Sequence, residues 1–192
     1  MVISYYGITC FKLQAGETVL AIDPYGKNSG LTPPRFEAHA VLLSGKKSSQ
    51  DFSITGDPLV CASPGEFETK DIVITGLDTP EGTAFYIEWE GLRMLHLGTI
   101  KNVSSVESIL EHIDTIDILF APADGSSSDM QKIISSIDPR IIIPMQGEGK
   151  KGAIDTLVKE IGEKPEKLDK LTIKKKGLPA EGQRLIVLDS PQ

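Results

Sequence analysis

Three observations predict an α+β fold for this 192-residue chain. The first half is a series of short apolar runs separated by glycine-containing turns. In the second half the apolar period changes to that of helices alternating with continuous apolar strands. No Pro-rich linker separates the halves, so both are expected in one layered domain spanning residues 1–192. With 40% hydrophobic residues, a chain of this length can bury a substantial core.

The elements follow in order. Strands are predicted at residues 2–6, 10–13, 19–22, 40–43, 59–61, 72–75, 84–89 and 93–97, punctuated by Gly7, Gly16, Gly56-Asp57, Gly65, Gly76, Gly82 and Gly91. Their spacing suggests an antiparallel meander, and Glu90-Gly91 between two alternating runs is a hairpin signal. Residues 104–113 carry apolar side chains at helical spacing, with Ser104 as cap and Glu107 three residues on. A buried strand at 116–121 leads to a second helix at 128–137. That helix stops at Asp138-Pro139, because the residue before proline resists the α region. A continuous apolar strand at 140–144, a helix at 153–161 and strands at 171–175 and 185–188 complete the chain.

Composition excludes several classes. The net charge is −7 and the pI is about 5.0, which disfavours nucleic acid as a partner. The pairs Lys46-Lys47 and Lys150-Lys151 and the run Lys174-Lys175-Lys176 read as solvated loop and strand-end lysines. Cys10 and Cys61 are the only cysteines, so neither a disulfide framework nor a zinc ribbon is encoded, and both are expected as buried thiols. No basic start with an apolar run opens the chain, and no apolar stretch nears the roughly 18 residues a bilayer needs. A soluble, cytoplasmic protein without a membrane partner is expected.

Several segments together resemble one family. Tyr6-Gly7-Ile8-Thr9-Cys10-Phe11 is similar to a Gly-x-Ser-Cys-Phe turn, and Ala21-Ile22-Asp23-Pro24 to an Ile-Asp-Pro strand end. Gly65-Glu66-Phe67-Glu68 with Ile74-Thr75-Gly76 looks like a Gly-Glu-Tyr-Glu hairpin. Gly91-Leu92-Arg93-Met94-Leu95-His96-Leu97-Gly98 looks like a segment ending in His-Leu-Gly-Asp, and Asp138 through Met145 resembles a strand ending in Ile-Pro-Met-His. These pieces, in register along nearly the whole chain, resemble the small UlaG-like members of the metallo-β-lactamase superfamily. The resemblance implies a four-layer αββα sandwich with a metal site on loops after strand ends. There, imidazoles and a bridging carboxylate would hold one or two zinc ions that acidify bound water.

At every ligand position the resemblance implies, this chain has another residue type. The His-x-His-x-Asp-His loop aligns with Gly45, Lys47, Ser49 and Gln50, the bridging aspartate with Thr99, and the last histidine with Gln146. Glycine offers no ligand atom, lysine is a cation, and serine and glutamine are poor zinc ligands. The ligand loop after the Ile-Thr-Gly strand is reduced to the turn Asp78-Thr79-Pro80-Glu81-Gly82. Asp23 matches, in a position where the family uses a carboxylate to orient the metal loop.

Three histidines remain. His112 falls on the polar side of a helix, His39 at the mouth of a buried strand, and His96 within an apolar strand near the implied site, as a hydrogen-bonded core residue. A metal site built from His96, Asp124 and Asp51 is conceivable but has no spacing to recommend it. Alternatively, Lys46 or Lys47 supplies a fixed positive charge to carboxylates such as Asp23 and Asp124. Ser126-Ser127-Ser128 reads as a loop and helix cap. Gly147-Glu148-Gly149-Lys150 lacks phosphate-loop spacing. The expectation is a metal-free member of this fold, a pseudoenzyme with a binding or structural role toward a small molecule or protein, able to form a homo-oligomer. The alternative is a hydrolase of phosphoester, lactone or amide substrates that uses non-standard metal ligands or no metal.

Overall fold

The computed structural model describes residues 1–45, 51–147 and 152–190. Fourteen strands in these residues form two mixed sheets. The first sheet contains β1 (Val2–Gly7), β2 (Cys10–Ala15), β3 (Thr18–Ile22), β4 (Ala40–Leu42), β5 (Leu59–Cys61) and β13 (Leu171–Thr172), in the order β13-β1-β2-β3-β4-β5. The second contains β6 (Gly65–Thr69), β7 (Ile72–Thr79), β8 (Gly82–Trp89), β9 (Leu92–His96), β10 (Ile118–Pro122), β11 (Ile141–Met145), β12 (Glu166–Leu168) and β14 (Arg184–Leu188). Its order is β12-β14-β11-β10-β9-β8-β7-β6.

Period-two alternation sorts side chains between layers. In β3, Leu20 and Ile22 enter the main core while Val19 and Ala21 face the other side; in β4, Ala40 and Leu42 face in, and Val41 faces out. The outward set packs with Phe36, Phe52 and Ile54 from irregular chain, which covers this face of the first sheet. Between the sheets, Phe11 of β2 meets Phe120 of β10 at 4.6 Å and Tyr5 of β1 at 4.8 Å. The outer face of the second sheet carries α1 (Val103–Leu110), α2 (Ser127–Ile137) and α3 (Ala153–Ile161). Helix α1 touches β7 and α2, and α3 touches α2 and β11. The fold is the mixed, two-sheet arrangement expected.

Some elements differ from expectation. The first half is not a pure meander: β3, β4 and β5 run parallel to one another. Parallel neighbours need long crossovers, and the chain between β3 and β4, with Pro24, Gly26, Gly30, Pro33 and Pro34, provides one. Helix α1 is capped by Asn102, not Ser104. The Asn102 side chain accepts from the N–H groups of Ser104 at 2.9 Å and Ser105 at 3.4 Å, and Asn caps at least as well as Ser. The polar edge strand β12 has no signal in the sequence, because Glu166 and Lys167 carry no apolar alternation; edge strands commonly bear such charges.

Candidate functional site

In the second sheet β9, β10 and β11 are parallel, so their C-terminal ends lie on one edge; β3 and β4 are likewise parallel to each other. Contacts from Ser44 to Gly98 and from Tyr5 to Gln146 show that the strand ends of both sheets meet there. Asp23 follows β3 with a left-handed φ of 43°, which turns its carboxylate toward the residue after Leu43. It accepts hydrogen bonds from the Ser44 N–H at 2.7 Å and the Ser44 hydroxyl at 2.5 Å, while its own N–H donates to the Leu42 carbonyl. Asp23 thus organises the start of the loop that begins at Ser44.

Two other segments close on Ser44. Its carbonyl accepts from Thr83 N–H at 3.0 Å, and Gly45 forms an antiparallel bridge with Gly82. The turn between β7 and β8 therefore packs onto the loop. That turn is held by Thr79, whose hydroxyl donates to the Gly82 carbonyl at 2.8 Å and accepts from the N–H groups of Glu81 and Gly82. Gly98, after β9, has φ 56° and lies so close to the Ser44 side chain that a Cβ there would collide with it.

His96 is fully buried. Its Nε2 meets the Thr9 carbonyl at 3.1 Å, and its Nδ1 accepts from Gly98 N–H at 3.2 Å, which assigns the proton to Nε2. The rings of Phe120 and Phe11 stand 5.7 and 5.9 Å away. Burial pushes the imidazole pKa below its ordinary 6.5, against the opposing influence of the Asp23 charge and the Thr9 hydrogen bond. The result is a neutral ring with both nitrogens engaged.

Asp124 follows β10 with its side chain 8% exposed. One carboxylate oxygen accepts from the Lys101 ammonium at 2.7 Å, and the other has no hydrogen-bond partner among the described residues. Gly147, after β11, lies directly against this carboxylate, and a side chain at 147 would displace it. Tyr5 ties the same end together: its hydroxyl donates to Ile8 carbonyl at 2.9 Å and accepts from Gln146 N–H at 2.8 Å. Burial drives the Tyr5 pKa up, partly offset by the Gln146 hydrogen bond, so the phenol stays protonated.

Thus Gly45, Thr99, Gln146, Asp23, His96 and Asp124 all lie at or near the shared strand-end edge, while Lys46, Lys47, Ser49 and Gln50 lie outside the described residues. The conceivable site of His96, Asp124 and Asp51 is not assembled. Asp51 is exposed and accepts from Asn28 at 3.0 Å, Asp124 is paired with Lys101, and His96 has no free nitrogen. Among the described residues no group of three or more His, Cys, Asp or Glu is arranged to hold a metal ion. A zinc ion does not fit the donor set offered by the described residues. Lys46 and Lys47, the alternative counter-charges expected for Asp124, lie outside the described residues, and among the described residues Lys101 meets this carboxylate. Lys101 had a signal, its place just beyond Thr99 on the same loop, but its pairing depends on where the loop between β9 and α1 folds.

The paired mixed sheets, the helix layer and a polar edge at the strand ends define the metallo-β-lactamase class of fold. A family model described as "Beta-lactamase superfamily domain" matches residues 2–146, and the chain belongs to that family. No curated protein matches the chain significantly. Among solved structures, a metallo-β-lactamase superfamily protein from Thermotoga maritima is similar with a TM-score of 0.79 at 23% identity, covering 98% of each chain. The metallo-β-lactamase fold protein YhfI from Bacillus subtilis gives a TM-score of 0.61 at 14% identity over 98% of this chain and 96% of its own. CmlA, a diiron β-hydroxylase from Streptomyces venezuelae, gives 0.59 at 12% identity over 97% of this chain and 52% of its own. At these identities the likeness concerns the fold, and a fold shared with a hydroxylase does not choose a reaction.

Proposed function

We propose that this chain is a metal-free, UlaG-like member of its superfamily, a cytoplasmic pseudoenzyme that binds a small molecule or protein or serves as a structural subunit. The observation that carries this reading is the use of its imidazoles. The chain has three histidines. His96 spends both ring nitrogens on Thr9 and Gly98. His39 precedes β4 and its Nδ1 accepts from Val19 N–H at 3.2 Å, clamping β3 to β4. His112 is exposed beyond the end of α1. No imidazole is left to ligate a metal at the strand-end edge. There the Asp124 carboxylate is met by an ammonium group, and a tight turn seals Ser44.

The test is the metal content of protein purified without chelator, with thermal melting in the presence and absence of zinc. Zinc well below one ion per chain and an unchanged melting temperature are expected. A ligand at a hundredfold excess over its Kd stabilises a fold by about 2.7 kcal/mol. Stoichiometric zinc, or a zinc-dependent rise of that order, would overturn the reading in favour of a hydrolase with unusual ligands.

A further inference from the structure

A second polar site lies on the helix-covered face of the second sheet, at the opposite end of β9 from Gly98. Thr75 of β7 pairs with Tyr86 of β8, and Glu88 pairs with Arg93 at the start of β9. Beyond the end of α1, Glu111, His112, Ile113 and Asp114 complete a hollow of about 410 Å³ with Thr75, Tyr86 and Glu88, within the size range of small-molecule sites.

Its chemistry is unbalanced. The hollow has three carboxylates, on Glu88, Glu111 and Asp114. The one guanidinium beside it, Arg93, stands 3.7 Å from both Glu88 and Asp114, too far for a hydrogen bond. Arg93 instead donates to the Thr115 hydroxyl at 2.9 Å. Among the described residues no carboxylate of the three receives a hydrogen bond, and Glu111 has no ion pair with any of them. Nearby Asp117 differs, because Lys175 and the Arg93 backbone satisfy it. The carbonyl end of α1 adds partial negative charge.

The independent observation is Tyr86. It is 5% exposed, its hydroxyl is buried, and that hydroxyl has no hydrogen-bond partner among the described residues. Buried polar groups are nearly always satisfied, so an orphan at the floor of a hollow points to a missing partner. Burial, reinforced by the Glu88 charge, raises the phenol pKa to about 12, so the group is a neutral hydroxyl with free lone pairs. A phenol can donate or accept, but the carboxylates of Glu88, Glu111 and Asp114 around it only accept, so the partner that suits the whole hollow is a donor of several N–H groups. A metal ion is not indicated, since no ligand triad is arranged to hold one among the described residues.

We propose that this hollow binds a small organic cation bearing a primary ammonium or guanidinium group. Its N–H groups are accepted by Glu88, Glu111, Asp114 and the Tyr86 hydroxyl. The site is independent of the metal question at the strand-end edge.

The experiment is calorimetric and NMR titration of the full chain with 1,4-diaminobutane and with agmatine at low salt, using 1,4-butanediol as the neutral control. Saturable one-to-one binding of the cations, with shifts centred on Tyr86 and Ile113, is expected. Replacing Glu111 by Gln weakens it about tenfold, the usual scale for losing a charge-assisted hydrogen bond. Tyr86→Phe weakens binding several-fold. Without ligand, Tyr86→Phe leaves the urea midpoint unchanged or raised, because it deletes a hydroxyl that has no partner. The proposal is overturned by no saturable binding at millimolar concentrations, by equal binding of the diol, or by binding unaffected in both variants. Magnesium ions alone producing the same saturable shifts would assign the site to an inorganic cation and also overturn it, as would a lowered urea midpoint for Tyr86→Phe.

Discussion

His96 is enclosed by Phe11 and Phe120 and gives both ring nitrogens to backbone partners, so protonation would put an unmatched charge into the core. Its pKa is lowered by burial in the folded chain, while in the unfolded chain it returns toward 6.5. Below that value the unfolded state binds more protons than the native state, so stability falls as pH drops through about 6.5 and is regained above it. Urea unfolding at pH 7.5, 6.5 and 5.5 is expected to show this slope in the native sequence and a flatter one in His96→Gln, whose overall stability is lower. Equal slopes in both would mean that the ring is not held neutral.

Lys101→Met leaves the Asp124 carboxylate nearly buried and uncompensated. A loss of about 2 kcal/mol is expected, between the values for exposed and for buried pairs, since the lysine is one-third exposed. Adding Asp124→Asn to that variant recovers part of the loss. A double-mutant cycle in urea reads the coupling directly, and a coupling near zero would remove the ion pair from the account.

Among the elements, the turn from β7 to β8 does the most to shape the strand-end edge. Thr79 satisfies three backbone groups within four residues, and Gly82 then bridges to Gly45. Thr79→Val removes these hydrogen bonds from a buried position and is expected to cost about 2 kcal/mol in urea unfolding. Hydrogen exchange at Thr83, whose amide is bound to the Ser44 carbonyl, should rise more than exchange at mid-strand Tyr86. Uniform acceleration along β8 would show that the turn does not act locally. Most elements were legible from their period: the segment 153–161 is helical because apolar positions recur every three or four residues, and Asp138-Pro139 stops α2 where expected. Less legible was the direction of β4 and β5. A short, fully apolar run such as Ala40-Val41-Leu42 looks the same in a parallel or antiparallel ladder, and only the path of the crossover decides.

For the whole molecule, the question is whether stability rests on metal or on packing. The core between the sheets joins residues of nearly every strand, from Ile3 and Phe11 to Phe120 and Leu188. With packing this extensive, EDTA is expected to leave the thermal midpoint unchanged. A drop on chelation would reveal an ion that contributes to the fold. Among the described residues, no helix is long and apolar enough to cross a membrane.

The sequence by itself determined the strand-rich first half, the alternating second half and the residue types at the six positions where zinc ligands are implied: Gly45, Lys47, Ser49, Gln50, Thr99 and Gln146. Those readings depend on local periodicity and on which side chains own a ligand atom, and both are properties of the chain alone. Tertiary structure decided what fills the strand-end edge and what faces the hollow beyond the end of α1. Lys101 reaches Asp124 across 23 positions, Ser44 closes on Asp23 across 21, and Tyr5 binds the backbone of Gln146 across 141. Such pairings are set by how strands from distant segments come into register, and no local pattern encodes the partner.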